Sequence, residues 1–434
     1  MKYSTMALSG PLLLLAVLLG ICQAKVNFPK DNRVDVEFPP KITYRKDGVI
    51  STGHLRPFGY QKKPTSRVRE YREPLPPKNF WEDHVRHREP CVYRGAVTDS
   101  PAMTNWTDDY LNKEYGDLDV LVELKKEQRG SRNKRMKISK FLSHYGVEDW
   151  YVVTVLPDEM RHEIQVPKSL LCGTFKRFIQ ETNLWISSGG TASVIHYDAD
   201  HNLHCLLAGK KNFIMIHPKF AKYLEMAEKP NFVGSGYSKL DVDMINMFQY
   251  PDVAKVQWTW ATLNPGDCLY IPAGYLHQVR SHGRSVSATI LFTSLPTFDD
   301  SDCSRDVINT YTGLDEVRVL WTYKKGDRVI EMGYMNPEAL RDSFLTLLGE
   351  SHQLNFEKFK YYFMDITKED EDESNSRDIE YPMAEEAFKM FDHENKGYVT
   401  REEIVEMDVE YFKDFARILD LPSGPTADDM HDEL

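Results

Sequence analysis

The chain of 434 residues carries 54 Lys+Arg against 66 Asp+Glu, a formal net charge of -12, with 41% hydrophobic and 12% aromatic residues. That is enough chain for one large or two to three smaller globular units, and the aromatic content excludes a disordered polymer. The acidic balance argues against nucleic acid as the main partner.

In chain order the first element is a short apolar run, Pro11 to Ile21, preceded by Lys2 and followed by Cys22-Gln23-Ala24. These are the parts of a cleavable secretory signal over residues 1–24, and the run is shorter than the roughly 20 apolar residues of a membrane span. No membrane span is expected after cleavage. Residues 25–77 carry scattered prolines and read as an extended arm on the surface. The next unit, 78–296, begins with helix-like patterns and short apolar runs, and the basic stretch from Lys125 to Lys137 reads as a solvated loop. Asn105-Trp106-Thr107 is an N-glycosylation acceptor triplet. From about 184 to 294 the texture becomes eight short β-rich runs with Gly, Pro and Asn between them, the pattern of an antiparallel barrel or jelly roll. Pro218 to Ala254 is the one long interruption. Beyond Pro296 the pattern turns helical over 297–378, with an acidic run at Glu369 to Glu373, and ends in a helix-loop-helix over 379–421. The fold class expected is α+β: a jelly roll with a helical lead-in and a C-terminal helical domain.

The last four residues, 431–434, read HDEL. At a terminus this is a receptor-read retrieval address for the endoplasmic reticulum, meaningful only for a chain that enters the secretory pathway, so the signal at the other end gives it force. An endoplasmic-reticulum lumen location and an interaction with the retrieval receptor are expected. After loss of Cys22, five cysteines are left, Cys91, Cys172, Cys205, Cys268 and Cys303. An odd number leaves at least one free thiol, no CxxC pair exists, and neither a thioredoxin-like centre nor a zinc site is expected.

The chemistry sits in the barrel zone. His196-Tyr197-Asp198 reads as strand, where side chains two apart share a face. His277 enters a later strand after the Pro272-Ala273-Gly274 bend. Two histidines and one carboxylate on one face leave coordination positions open, as in non-haem Fe(II) oxygenases. His201 and His204 are expected as packing histidines, with an approach of His204 to substrate as the alternative, His217 as a surface residue, and Tyr151 as a core tyrosine, with a pocket hydroxyl as the alternative.

The order HYDADHNLHCLLAGKKNF, then GDCLYIPAGYLHQV, resembles the JmjC or cupin-like 2-oxoglutarate-dependent dioxygenases, in their protein-hydroxylase branch, from about Phe80 to Ser294. The resemblance implies a double-stranded β-helix, Fe(II) on His196, Asp198 and His277, and 2-oxoglutarate as co-substrate. It places Lys211, with Lys210 as its alternative, on the distal carboxylate of the co-substrate. Ser193 shares that carboxylate, Asn202 lies near the metal end, and Thr289 stands where the family often has Asn. It implies hydroxylation of a side chain of a secretory-pathway protein.

Near the C-terminus, Asp392 to Glu403 aligns with the calcium loop of an EF-hand. Asp392, Glu394, the Tyr398 carbonyl and Glu403 are the expected calcium ligands, but Lys396 stands at the fifth position, where an oxygen is needed. EF-hands pair, and no second loop is legible, so that face is expected to pack on the barrel or on another copy in a homodimer. Two other functions compete with the oxygenase: a calcium-responsive, chaperone-like luminal protein whose barrel has lost turnover, and a cupin of different chemistry.

Overall fold

The computed structural model describes residues 37–44, 50–125, 134–227, 236–293, 297–304, 310–319, 321–325, 328–333, 337–349, 351–366 and 380–420. The secretory signal, the acidic run and the HDEL terminus lie outside the described residues.

One sheet of 14 strands organises the first two thirds of the chain. The arm supplies β1 (Ser66–Arg67) and β2 (Arg69–Tyr71), and the lead-in supplies β3 (Cys91–Tyr93), β4 (Asp119–Leu124), β5 (Lys134–Lys137) and β6 (Trp150–Val155). The barrel zone contributes β7 (Ile179–Ser187), β8 (Thr191–Ala192), β9 (His196–Tyr197), β10 (His201–Ile216), β11 (Gly236–Tyr237), β12 (Thr259–Leu263), β13 (Cys268–Ile271) and β14 (Leu276–Phe292). Their main path runs β2-β3-β13-β10-β14-β7-β6-β4-β5, and β8 and β9 also pair with β14. This is a jelly-roll-like sheet with helices, an α+β fold.

The structure corrects four expectations. The arm does not simply lie on the surface. β1 runs parallel to β12 and β2 parallel to β3, Phe58 and Val68 are buried, and the Gln61 amide donates to the Gly53 and Arg56 carbonyls. The end of the basic stretch is likewise strand: β5 pairs with β4, and the Lys137 ammonium reaches the buried Asp119 carboxylate at 3.0 Å. Beyond Pro296 the chain is not only helical, because β15 (Trp321–Lys325) and β16 (Arg328–Gly333) form an antiparallel hairpin.

The fourth correction concerns the barrel itself. LHCLLA and NFIMIH look like two runs broken at Gly209, yet both belong to β10, which pairs antiparallel with β14 from His201 opposite Phe292 to Ile216 opposite Leu276. Gly209 and Gly283 mark irregularities inside this ladder rather than turns between strands. Register shifts fall between Leu206 and Ala208 and between Ala208 and Lys210. Gly209 has φ of 86°, and a Cβ there would lie 2.3 Å from the Arg284 carbonyl oxygen, so only glycine fits.

The extra residue changes which face the strand presents. In an unbroken strand residues seven apart point to opposite faces. Across this bulge His204 and Lys211 point into the same cavity.

Two disulfides tie the sheet. Cys205 and Cys268 are direct cross-strand neighbours on β10 and β13, and Cys172 is joined to Cys303 across 131 residues of chain. Cys91 is a free, buried thiol whose pKa is pushed up by desolvation, which keeps it protonated and inert.

The C-terminal helices have their own core of Phe344, Phe359, Phe363, Phe391, Phe412 and Phe415. Here the second loop that the sequence does not reveal comes into view. The helix Pro337–Leu348, the strand β17 (Gln353–Asn355) and the helix Phe356–Ile366 form one helix-loop-helix. It meets the unit built from the helix Glu380–Lys389, the strand β18 (Tyr398–Thr400) and the helix Arg401–Glu406 through antiparallel pairing of β17 with β18. The first loop, Gly349-Glu350-Ser351-His352, lacks the acidic spacing of a calcium site and so carries no signal in the sequence. Arg401 links this module to the sheet by reaching Asp119 on β4 at 3.4 Å.

Candidate metal centre

The metal-ligating group begins at a strand junction. β9 is only two residues long, so His196 is in strand while Asp198 follows it, held by the Gly274 amide donating to the Asp198 carbonyl at 2.9 Å. His196 lies directly opposite His277 on β14. That pairing explains why residues 81 positions apart in sequence supply one site.

His196 Nε2 is 3.9 Å from one Asp198 oxygen, and His277 Nε2 is 3.7 Å from the other. The three ligand atoms all lie within 4.8 Å of one another, and among the described residues no other such group of three or more exists.

The hydrogen bonds behind the rings fix their tautomers. His196 Nδ1 is 2.9 Å from the Val194 carbonyl and His277 Nδ1 is 3.0 Å from the Tyr275 carbonyl. A carbonyl can only accept, so both Nδ1 atoms carry the proton and both Nε2 lone pairs face Asp198 and the space between them. Burial, followed by the charge of His196, lowers the pKa of His277 and keeps it in the neutral form a ligand needs. The Asn202 amide donates to Asp198 Oδ2 at 3.3 Å, while its own Oδ1 is buried without a hydrogen-bond partner.

The triad opens into a cavity of about 270 Å³, at the small end of the range for small-molecule pockets. Ser193, Asn202, Lys211 and Thr289 all line it. The Ser193 hydroxyl accepts from the Val279 amide at 2.9 Å, which leaves its own proton for the cavity.

Lys211 is 1% exposed. Its only hydrogen-bond partner among the described residues is His204 Nε2, at 3.3 Å. Burial lowers the pKa of this amine from 10.5 to about 7, and no carboxylate offsets the shift. Lys210, the alternative, is exposed and does not line the cavity.

Several wall residues escape the sequence reading. Glu123, Leu124 and Lys125 at the end of β4, Tyr151 and Val153 of β6, and Asn183 and Trp185 of β7 all face the cavity. Of these, Tyr151 alone is foreseen in the sequence, as the pocket-hydroxyl alternative to a core tyrosine, and it lines the pocket beside Trp185. The period-two alternation Asn183, Trp185 was the available signal, but nothing local says which face of β7 is inward. His204, expected as packing with a place beside the substrate as the alternative, also lines the cavity.

Two other expected sites come out differently. The acceptor nitrogen of Asn105 donates to Glu163 at 2.8 Å, and the Tyr110 and Tyr115 hydroxyls converge on the same buried carboxylate.

In the C-terminal loop Asp392 and Glu403 are both engaged within the loop itself. Asp392 accepts from the Lys396 and Gly397 amides at 2.9 and 2.6 Å, and the Lys396 ammonium pairs with Glu403 and, at 3.3 Å, with Glu394. Tyr398 lies in β18 with the same ammonium 5.4 Å from its ring. The Lys396 ammonium thus lies between two of the carboxylates expected to bind calcium.

A jelly-roll barrel with two histidines and one carboxylate beside a small cavity defines the class: a cupin-type barrel with a candidate metal site. Residues 77–298 match the cupin-like domain, and the chain belongs to that family. It is 28% identical to lysine-specific demethylase JMJ30 of Arabidopsis thaliana over 238 residues, which cover 52% of this chain and 54% of that protein. It is 26% identical to tRNA wybutosine-synthesizing protein 5 of Mus musculus over 328 residues, covering 68% of this chain and 99% of that protein. With lysine-specific demethylase 8 of Danio rerio it shares 25% over 285 residues, 63% of this chain and 68% of that one. The chain spans about half the length of JMJ30 and of Jumonji C domain-containing protein 5 of Drosophila melanogaster, 54% of each.

Proposed function

We propose that this protein is an Fe(II)- and 2-oxoglutarate-dependent oxygenase of the endoplasmic-reticulum lumen that hydroxylates a side chain of a secretory-pathway protein. The observation that carries the reading is the buried Lys211 amine, with no carboxylate beside it, in the same cavity as the two-histidine, one-carboxylate group. A buried cation without an anion is costly, and a dicarboxylate co-substrate that ligates the metal at one end supplies the missing charge at the other.

The donor set fits Fe(II): two neutral imidazoles and one carboxylate, with one side open to the cavity. His196, Asp198 and His277 would hold the metal, with Asn202 fixing the Asp198 carboxylate. Lys211, Ser193 and Thr289 would bind and orient the co-substrate. When bound, iron, 2-oxoglutarate and dioxygen together would supply the oxidation: as 2-oxoglutarate loses carbon dioxide, one oxygen atom of dioxygen would enter succinate and the other would be inserted into a substrate C–H bond. The barrel walls exclude water and hold the substrate carbon at the open face.

The two disulfides suit an oxidising compartment, and the secretory signal and HDEL terminus support the lumen. The tRNA relative does not shift the reading, because a net charge of -12 disfavours a nucleic-acid substrate. The reading does not depend on calcium at the Asp392 loop.

The test is succinate release from 2-oxoglutarate by the purified protein with Fe(II), followed by mass spectrometry of luminal proteins with and without the chain. Succinate formation that vanishes in Asp198→Ala, together with an oxygen-sized mass gain on a luminal protein, is the expected result. Turnover that persists at the parent rate in Asp198→Ala overturns the metal assignment.

A further inference from the structure

The wall of the pocket behind Lys211 is a chain of hydrogen bonds through four side chains. Trp185 Nε1 donates to Thr289 Oγ1 at 2.7 Å, Thr289 Oγ1 is 3.2 Å from His204 Nδ1, and His204 Nε2 is 3.3 Å from Lys211 Nζ. Each group in the chain has a limited inventory of donors and acceptors.

The protons can be placed from that inventory. With an anion in the cavity Lys211 is an ammonium, which can only donate, so His204 Nε2 must accept. The neutral ring then carries its proton on Nδ1 and donates to Thr289 Oγ1. The Trp185 N–H also only donates. Both lone pairs of Thr289 are thereby filled from behind, and its own proton has no acceptor among these four side chains and is left for the cavity the residue lines.

His204 is held in this state by its surroundings. Its ring is edge-on to Phe213 at 5.3 Å, and burial together with the Lys211 charge keeps it from taking a second proton. The bulge at Gly209 is what brings the ring onto the same face as the amine.

We infer that His204 is a positioning residue for the co-substrate anion, aiming the Lys211 ammonium through Nε2 and, through Nδ1, turning the Thr289 hydroxyl into a donor toward the cavity. The inference rests on the reading of this cavity as a 2-oxoglutarate site. A packing histidine would have no such directional demand, and phenylalanine would replace it without loss.

The experiment is calorimetric binding of 2-oxoglutarate to the full-length protein loaded with Mn(II), for the parent, His204→Phe, His204→Gln and Thr289→Val. Phenylalanine keeps the ring packing and removes both polar atoms. It should weaken 2-oxoglutarate about tenfold, the loss of one hydrogen bond to a charged group, and leave Mn(II) affinity unchanged. Glutamine retains an acceptor for Lys211 and a donor for Thr289 and should bind within about threefold of the parent. Thr289→Val should weaken 2-oxoglutarate by an amount similar to His204→Phe, and it carries the test if the phenylalanine variant does not fold. Parental affinity in both His204→Phe and Thr289→Val overturns the inference. A parent that binds Mn(II) but not 2-oxoglutarate overturns the functional reading instead.

Discussion

Replacing Lys211 with methionine removes a charge that is costly to bury, so the variant without its co-substrate should be more stable than the parent, by an amount that depends on pH. The amine titrates near 7 in the folded chain and at 10.5 when exposed. At about 1.4 kcal/mol for each pH unit separating those two values, the charged form costs the folded state about 5 kcal/mol below pH 7. The sign follows from the lowered value. Below 7 both states hold the proton and the full cost applies, whereas between 7 and 10.5 the unfolded chain binds more protons than the folded one, so the parent gains stability as pH rises. At pH 9 the remaining cost is about 2 kcal/mol.

Methionine also leaves His204 Nε2 without its partner, a penalty of about 1 to 3 kcal/mol that does not vary over this range. Methionine should therefore stabilise the metal-free protein by about 2 to 4 kcal/mol at pH 6.5, and the advantage should shrink by about 3 kcal/mol by pH 9. Urea denaturation of both proteins at several pH values measures this, and 2-oxoglutarate with Mn(II) should then stabilise the parent alone. A stability difference that is flat between pH 6.5 and 9 would refute the argument, because it would mean that the buried amine is already compensated.

Asp198→Ala should abolish Fe(II) retention, measured by metal analysis after dialysis, while the far-ultraviolet spectrum stays parental, since the barrel packs without the ligand. Gly209→Ala should destabilise the chain by several kcal/mol and lower 2-oxoglutarate affinity together with stability, because the added Cβ meets the Arg284 carbonyl at 2.3 Å and disturbs the bulge that faces Lys211 into the pocket; thermal denaturation and calorimetry measure the two effects. Titrating the parent with calcium should give no heat at millimolar concentration, whereas Lys396→Asp frees Glu403, adds a carboxylate at the fifth loop position and should gain binding at about 10⁻⁴ to 10⁻³ M. Parental calcium binding that Lys396→Asp does not improve would show that the ammonium does not close the loop.

Much of this molecule is written locally. The period-two runs between Leu184 and Ser294 announce an antiparallel barrel because a half-buried strand must alternate, and the HxD followed by a distant histidine names the ligands because metal chemistry restricts residue type. Lys211 is legible only through the resemblance, by its distance from the HxD, and with Lys210 beside it as the alternative.

What tertiary structure decided is everything that depends on which residue lies opposite which. The partner of His196 is His277 only because β9 meets β14. The strand breaks apparent at Gly209 and Gly283 are irregularities in one ladder, since pairing across two long strands outweighs the local preference of glycine for turns. The Gly209 bulge changes the face of β10, so His204 and Lys211 meet although simple alternation separates them. Asn105 is engaged by Glu163, Cys205 finds Cys268, and Glu394 and Glu403 pair with Lys396, each through a neighbour that sequence spacing does not specify. The partner of that loop left no trace in the sequence because it contributes a strand, Gln353–Asn355, and no ligands. Backbone pairing is indifferent to side-chain identity, and so the contacts it creates become readable only once the chain is folded.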